Sequence, residues 1–171
     1  MLAVIGVGIA SLIFLITKNY YWDDLAFSFA QTGIIFASLI IVTGALWAKP
    51  VWGVWWTWDP KLTTTVILWF IFSAYLLVRN LIEDKKRAAL IGSIIALLGS
   101  IDAPIIYFAS ILWRTAHPEL NIGPLADEEN SGLPSSMLLT FFISLLAHTF
   151  LFIILVKMRL GVKKLERLTY E

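Results

Sequence analysis

The chain has 171 residues, of which 59% are hydrophobic and 15% charged, with a mean hydropathy of +0.83 and a formal net charge of +1. A water-soluble domain needs more polar surface than this, and basic residues scattered in small clusters at the ends of apolar runs exclude a nucleic-acid binder. The absence of cysteine excludes disulfides, thiolate metal sites, iron–sulfur clusters and thioether attachment to this chain.

Five runs are apolar enough to cross a hydrocarbon core, which takes about 20 helical residues: roughly 1 to 17, 25 to 46, 63 to 82, 88 to 108 and 136 to 157. They predict an all-α integral membrane protein, a bundle of about five transmembrane helices forming one domain over residues 1–171. The first run has no basic residues ahead of it and no small-residue cleavage site before Lys18, so it reads as a crossing and not a signal peptide. A polar connection from Lys18 to Asp24 leads to the second run.

Residues 47–62 follow, and five of the eight tryptophans lie in their first twelve positions: Trp47, Trp52, Trp55, Trp56 and Trp58. Pro50, Gly53 and the Asp59-Pro60 pair discourage a long helix there. The i, i+3, i+4 spacing of Trp52, Trp55 and Trp56 predicts a short amphipathic piece lying parallel to the membrane. Single tryptophans such as Trp22, Trp69 and Trp113 read as ordinary interfacial or packing residues. A cluster this dense exceeds what interfacial anchoring needs, and it suits a flat, apolar, polarisable ligand such as a porphyrin. Lys49, Lys61 and Arg114 could meet the carboxylates of such a ligand, or snorkel to headgroups. Asp59 is placed to cap the helix that starts near Leu62, or to pair with Lys61 or Arg114.

The third run ends in the charged turn Glu83-Asp84-Lys85-Lys86-Arg87, and the fourth carries Asp102-Ala103-Pro104 toward its far end. Asp102 is a candidate to orient His117 or a ligand-binding cation. A loop over residues 109–135 holds Arg114 and His117, on the same side as the tryptophans. Spacing alone leaves His117 open as an axial ligand of haem iron or as a solvated loop histidine. His148, about a dozen residues into the last run, lies roughly 18 Å below that surface and reads as packing through an interhelical hydrogen bond. Residues 158–171 form a basic tail.

Cytoplasmic loops retain lysine and arginine. One side of the alternating topology collects ten of the 13 basic residues: Lys18, Arg79, Lys85, Lys86, Arg87, Lys157, Arg159, Lys163, Lys164 and Arg167. The other has Lys49, Lys61 and Arg114. The tryptophans and the long loop are therefore expected outside, with the tail in the cytoplasm. Five crossings with an inside C-terminus require an outside N-terminus, yet Met1 stands directly at an apolar run. An upstream portion absent from this chain is the reading that follows.

The stretch Trp52-Gly-Val-Trp-Trp-Thr-Trp-Asp-Pro-Lys-Leu-Thr63 resembles the signature of the haem-handling WWD membrane proteins. Within them, Ala103-Pro-Ile-Ile-Tyr107 through Trp113-Arg-Thr-Ala-His117 resembles the CcmC family of cytochrome c maturation, and the likeness runs from about residue 1 to 160. The resemblance implies non-covalent haem b at the outer face of a prokaryotic inner membrane. It also implies delivery to the haem chaperone CcmE, beside the CcmA–CcmB ABC transporter and CcmD. It carries Trp52, Trp55, Trp56, Trp58 and Asp59 onto the signature and His117 onto the second of two axial histidines; Lys61 stands where the family often has arginine. The family's first outer histidine lies in a His-Val-Pro-like segment ahead of the helix at which this chain begins, and Pro118 is a smaller departure.

The expected function is haem binding and delivery, without catalysis, since no nucleophile–base pair or metal-ligand cluster suggests turnover. The bound cofactor would touch Trp52, Trp55, Trp56, Trp58, Asp59, Lys61, Arg114 and His117, with His117 on the iron. Two alternatives stand beside it: a subunit of a cytochrome c haem lyase, and a non-haem scaffold or transporter subunit anchored by its aromatics in the lipid bilayer.

Overall fold

The computed structural model describes residues 2–113 and 134–170, and every regular element among them is an α-helix. In chain order these are α1 (Leu2–Thr17), α2 (Tyr20–Trp52), α3 (Pro60–Leu81), α4 (Lys85–Leu112) and α5 (Ser135–Tyr170). The last four are long and apolar enough to cross a membrane, while α1, with 16 residues, rises only about 24 Å. The protein is thus an all-helical integral membrane protein, as the hydropathy predicts.

Sharp local signals set the helix starts. Lys18 takes a left-handed φ of 55° and turns the chain, after which the Asn19 side chain caps α2 by accepting from the Tyr21 N–H at 3.0 Å. Asp59 caps α3 by accepting from the Leu62 N–H at 2.8 Å, with Pro60 in the first helical position. Asp84 accepts from the N–H groups of Lys86 and Arg87, and it offsets the unfavourable placement of three cations at the positive end of α4.

Helices α1 to α4 pack closely through small residues, as membrane helices do. A Cβ at Gly8 would stand 2.6 Å from the Ser100 Oγ, and one at Gly99 would stand 2.8 Å from Ile71. The Ser100 hydroxyl lies 3.2 Å from the Val4 carbonyl across the α1–α4 contact. The core gathers Val7, Ala10, Ala26, Phe27, Ala30, Phe72, Tyr75 and Ala96.

Helix α5 lies against α2. Phe152 meets Phe29 and Phe36, each with ring centroids 5.8 Å apart, and Arg159 and Lys163 lie over the Phe27 ring. Between these contacts Asp24, Ser28 and Thr32 of α2 are buried, whereas Ile35, Leu39, Val42 and Leu46, continuing that stripe, are exposed. The two helices therefore part beyond Phe36. His148 packs its ring against Phe36, but its hydrogen bond runs from Nδ1 to the Ser144 carbonyl of its own helix at 2.7 Å. The expected interhelical bond is replaced by this local one because a carbonyl one turn back is always in reach.

One boundary departs from expectation. The short membrane-parallel piece does not form: α2 continues through Pro50 to Trp52. Proline is tolerable there because it stands in the last turn, where the lost bond to the Leu46 carbonyl is offset by Gly53 N–H to the Lys49 carbonyl at 3.0 Å and Lys49 Nζ to the Gly53 carbonyl at 2.9 Å. Gly53, at φ 78°, ends the helix in the left-handed region. Helix α5 runs on through the basic residues to Tyr170, supported by Lys163 Nζ to Glu166 at 2.7 Å one turn along.

Candidate functional site

At the tryptophan end, α2 and α3 diverge around a pocket of about 160 Å³. Helix α2 supplies Ile40, Ile41, Gly44, Ala45 and Ala48; α3 supplies Lys61, Leu62 and Thr65. Trp47, Trp52, Trp55 and Trp56 close the top. Below it, the Trp69 indole N–H donates to Ser38 Oγ at 2.8 Å, tying the two helices together.

The left-handed turn at Gly53 lets the chain fold back over the pocket, so that tryptophans from the end of α2 and from the connection share one site. Trp47 and Trp52 meet edge to face at 5.3 Å, and Trp56 and Trp58 do so at 5.8 Å. Lys49 Nζ lies 5.9 Å from the Trp55 ring, so its charge is engaged with that ring and with the helix end. The Thr65 hydroxyl donates to the Lys61 carbonyl at 2.7 Å. Its polar atom is thereby engaged with its own helix.

One donor in the wall lacks a partner. The Nε1–H of Trp56 is buried and meets no acceptor among the described residues. A buried N–H left so costs free energy. Lys61 lines the same pocket, whose other walls are largely aromatic and aliphatic. Such a lining suits a flat, apolar, polarisable ligand. At about 160 Å³ the pocket is smaller than the ~300–1,000 Å³ usual for small-molecule sites.

Of the residues singled out in the sequence, Trp52, Trp55, Trp56 and Lys61 come together on this pocket. Trp58 reaches it only through Trp56 and is 75% exposed. Asp59 takes the capping role, with its Oδ1 on the Leu62 N–H. Arg114 and His117 lie outside the described residues. Asp102 is buried with one carboxylate oxygen unpartnered among the described residues. Sequence reasoning missed Gly44, Ala45, Ala48 and the Ser38–Trp69 tie. Gly44 and Ala48 have the small-xxx-small spacing that ordinarily signals close helix packing, yet a Cβ at Gly44 would meet nothing within 4 Å.

The opposite end of the bundle carries a second polar group of side chains. Arg79 of α3 pairs with Asp23 of α2, and the Phe27 ring has Arg79, Arg159 and Lys163 at 5.6, 5.7 and 4.5 Å from its centre.

Comparison with known proteins gives one consistent result. The profile of the family described as Heme exporter protein C, CcmC, matches residues 1–170. A Heme exporter protein C of Bradyrhizobium diazoefficiens is 32% identical over 148 residues, 86% of this chain and 55% of that protein. A ccmC-like mitochondrial protein of cytochrome c biosynthesis from Marchantia polymorpha is 32% identical over 151 residues, 88% of this chain and 62% of that protein. The Heme exporter protein C of Escherichia coli K12 is 34% identical over 88 residues, covering 52% and 36%. The chain spans about half the length of the curated relatives it matches.

Proposed function

The chain belongs to the Heme exporter protein C family, CcmC, and from that premise we propose that it binds haem at its tryptophan end and delivers it to a haem chaperone during cytochrome c maturation. The observation that supports this reading is the pocket between α2 and α3 that Trp47, Trp52, Trp55, Trp56 and Lys61 line together. In the proposal the haem is cargo, held non-covalently as haem b, which agrees with a chain that has no cysteine. Trp52, Trp55 and Trp56 present apolar ring surface to the porphyrin, and Lys61 meets the propionates. His117 is assigned as the iron ligand through its imidazole, and Arg114, three residues earlier in sequence, as a further cation for the propionates. The role is a carrier's and involves no turnover. The bacterial relatives support a prokaryotic inner-membrane location, and the distribution of lysine and arginine supports the tryptophan end outside and the C-terminus in the cytoplasm. The recipient on this reading is CcmE, with CcmA–CcmB and CcmD as companions.

Titrating the purified protein with haem tests the proposal. A shifted Soret band that is lost in Trp55→Ala/Trp56→Ala and altered in His117→Ala is the expected result. A haem spectrum identical to that in empty detergent micelles overturns it.

A further inference from the structure

Helix α5 carries two pairs of cations at the end opposite the tryptophans, and the pairs face different ways. Arg159 and Lys163 turn toward α2, over the Phe27 ring, and both lie against Glu166, at 4.0 and 2.7 Å. Lys157 and Lys164 are exposed and have no acidic partner among the described residues. We propose that Lys157 and Lys164 hold the headgroup of an anionic phospholipid, whose acyl chains follow the apolar face of α5 beside them. Such a site is separate from the tryptophan end and does not depend on what binds there.

Lys157, Gly161 and Lys164 stand at i, i+4 and i+7 along one edge of the helix, and Met158, Val162 and Leu165 repeat that spacing one position on. All six are exposed. A Cβ at Gly161 would meet nothing within 4 Å, so the surface between the two lysines is open. Deeper in the membrane the apolar row continues through Ile154 and Leu151, which are also exposed. A basic row beside an apolar row is the pattern of a helix that meets an anionic lipid surface.

Depth places the lysines where phosphates are. Lys157 lies 22 residues beyond Ser135, the start of α5, about 33 Å of helix against a hydrocarbon layer of about 30 Å. With Ser135 at one surface, Lys157 reaches the opposite headgroups, and Lys164 stands about 10 Å beyond it on a stem long enough to bend back. A phosphate between them meets two cations, while the chains below it lie along Met158, Ile154 and Leu151. Phosphatidylcholine brings a cation of its own to the same place, so a headgroup with net negative charge is the better match. Pairing separates this site from other cations at the same end, since Arg79 is matched by Asp23 and Arg87 lies 3.5 Å from Asp84.

The test reads lipid composition at two points of equal depth. Phe29 marks that depth: a Cβ at Gly6 would stand 3.3 Å from its ring, and the Phe152 ring is 5.8 Å away. Ile5 adjoins Gly6, Ile154 follows two residues after Phe152, and both are exposed. The full chain, as Ile154→Cys or Ile5→Cys with an attached fluorophore, is placed in phosphatidylcholine nanodiscs. Quenching is measured as dibrominated phosphatidylglycerol or dibrominated phosphatidylcholine replaces the host lipid. At position 154, half-quenching is expected at an about tenfold lower mole fraction of the anionic lipid, whereas at position 5 the two lipids should agree within about twofold. Lys157→Gln/Lys164→Gln is expected to bring the ratio at position 154 to within about twofold, and Lys157→Arg/Lys164→Arg to keep it. Lys85→Gln/Lys86→Gln, which removes charge from the first turn of α4, is expected to leave it unchanged.

Equal quenching by the two lipids at position 154 overturns the site, and that comparison needs no lysine variant. An anionic preference matched at position 5 overturns it as well. So does a preference that survives Lys157→Gln/Lys164→Gln or falls as far in Lys85→Gln/Lys86→Gln, because it then belongs to the whole positive end of the bundle.

Discussion

Asp23 and Arg79, 56 residues apart in the chain, meet as a two-pronged ion pair, Nη1 to Oδ1 at 2.8 Å and Nη2 to Oδ2 at 2.7 Å. Their side chains are 4% and 10% exposed. The pair joins the start of α2 to the end of α3, and Gly92 makes room for it on α4, since a Cβ there would stand 2.6 Å from the Arg79 Cδ. Removing one partner leaves a buried charge uncompensated. Arg79→Ala is expected to cost about 3–5 kcal/mol, read as a lower midpoint in reversible detergent-denaturant unfolding. The double variant Asp23→Leu/Arg79→Leu is expected to lose less than Arg79→Ala, and a greater loss would show that the pair contributes net stability.

Asp59 belongs to the tryptophan-rich signature, but its carboxylate holds the first turn of α3. Asp59→Ala is expected to destabilise by about 1 kcal/mol and to speed amide exchange at Leu62 and Thr63, whereas Asp59→Asn keeps an oxygen for the cap and changes either little. If Asp59→Asn abolishes haem binding with the first turn of α3 still protected, a direct role in the site replaces the capping role.

The Ser38–Trp69 bond crosses between helices in apolar surroundings. Ser38→Ala leaves the indole N–H without its acceptor and is expected to cost about 0.5–2 kcal/mol. Ser38→Ala/Trp69→Phe removes both halves and should recover part of that loss. A double-mutant cycle on thermal unfolding measures the coupling, and a value of zero means that the hydroxyl contributes nothing there.

Phe27 holds α5 through the cations of Arg159 and Lys163. Such contacts are worth about 0.5–2 kcal/mol each. Phe27→Leu keeps most of the apolar volume and removes the ring face. The chain has no native cysteine, so spin labels introduced at Lys18→Cys and Lys164→Cys report the gap between α5 and the start of α2. The distance distribution is expected to broaden in Phe27→Leu. A distribution that keeps its width assigns the hold on α5 to Phe152 with Phe29 and Phe36.

The crossings are legible from the sequence because hydrocarbon leaves no backbone group unpaired, and a run of about 20 apolar residues meets that demand as a helix. Their ends are less so. Hydropathy stops at the membrane boundary, whereas the backbone goes on bonding to itself as far as Trp52 in α2 and Tyr170 in α5. The Asp59 cap was readable because it is local, an aspartate before a proline and three residues from the N–H it accepts. Pairings between distant residues were not. Asp23 reads as part of a polar turn and Arg79 as a positive charge marking one side, and nothing in either stretch states that the two face each other. The tryptophans announced a flat ligand, but the space beneath them depends on two helices diverging above Ser38 and Trp69, and a glycine in α2 looks the same in sequence whether it admits a neighbouring helix or leaves a gap.

Pro50 has one further consequence, for immersion depth. It has no N–H to give the Leu46 carbonyl four residues back, and an unsatisfied carbonyl in hydrocarbon costs several kcal/mol. This turn of α2 must therefore ride where water reaches it, at the headgroups. Pro50 to Asp23 is 27 residues along the same helix, about 40 Å, against a hydrocarbon layer of about 30 Å. With one end moored at the surface by a proline, the charged end of α2 emerges among the opposite headgroups, and the bilayer is spared from carrying an ion pair in its oily middle.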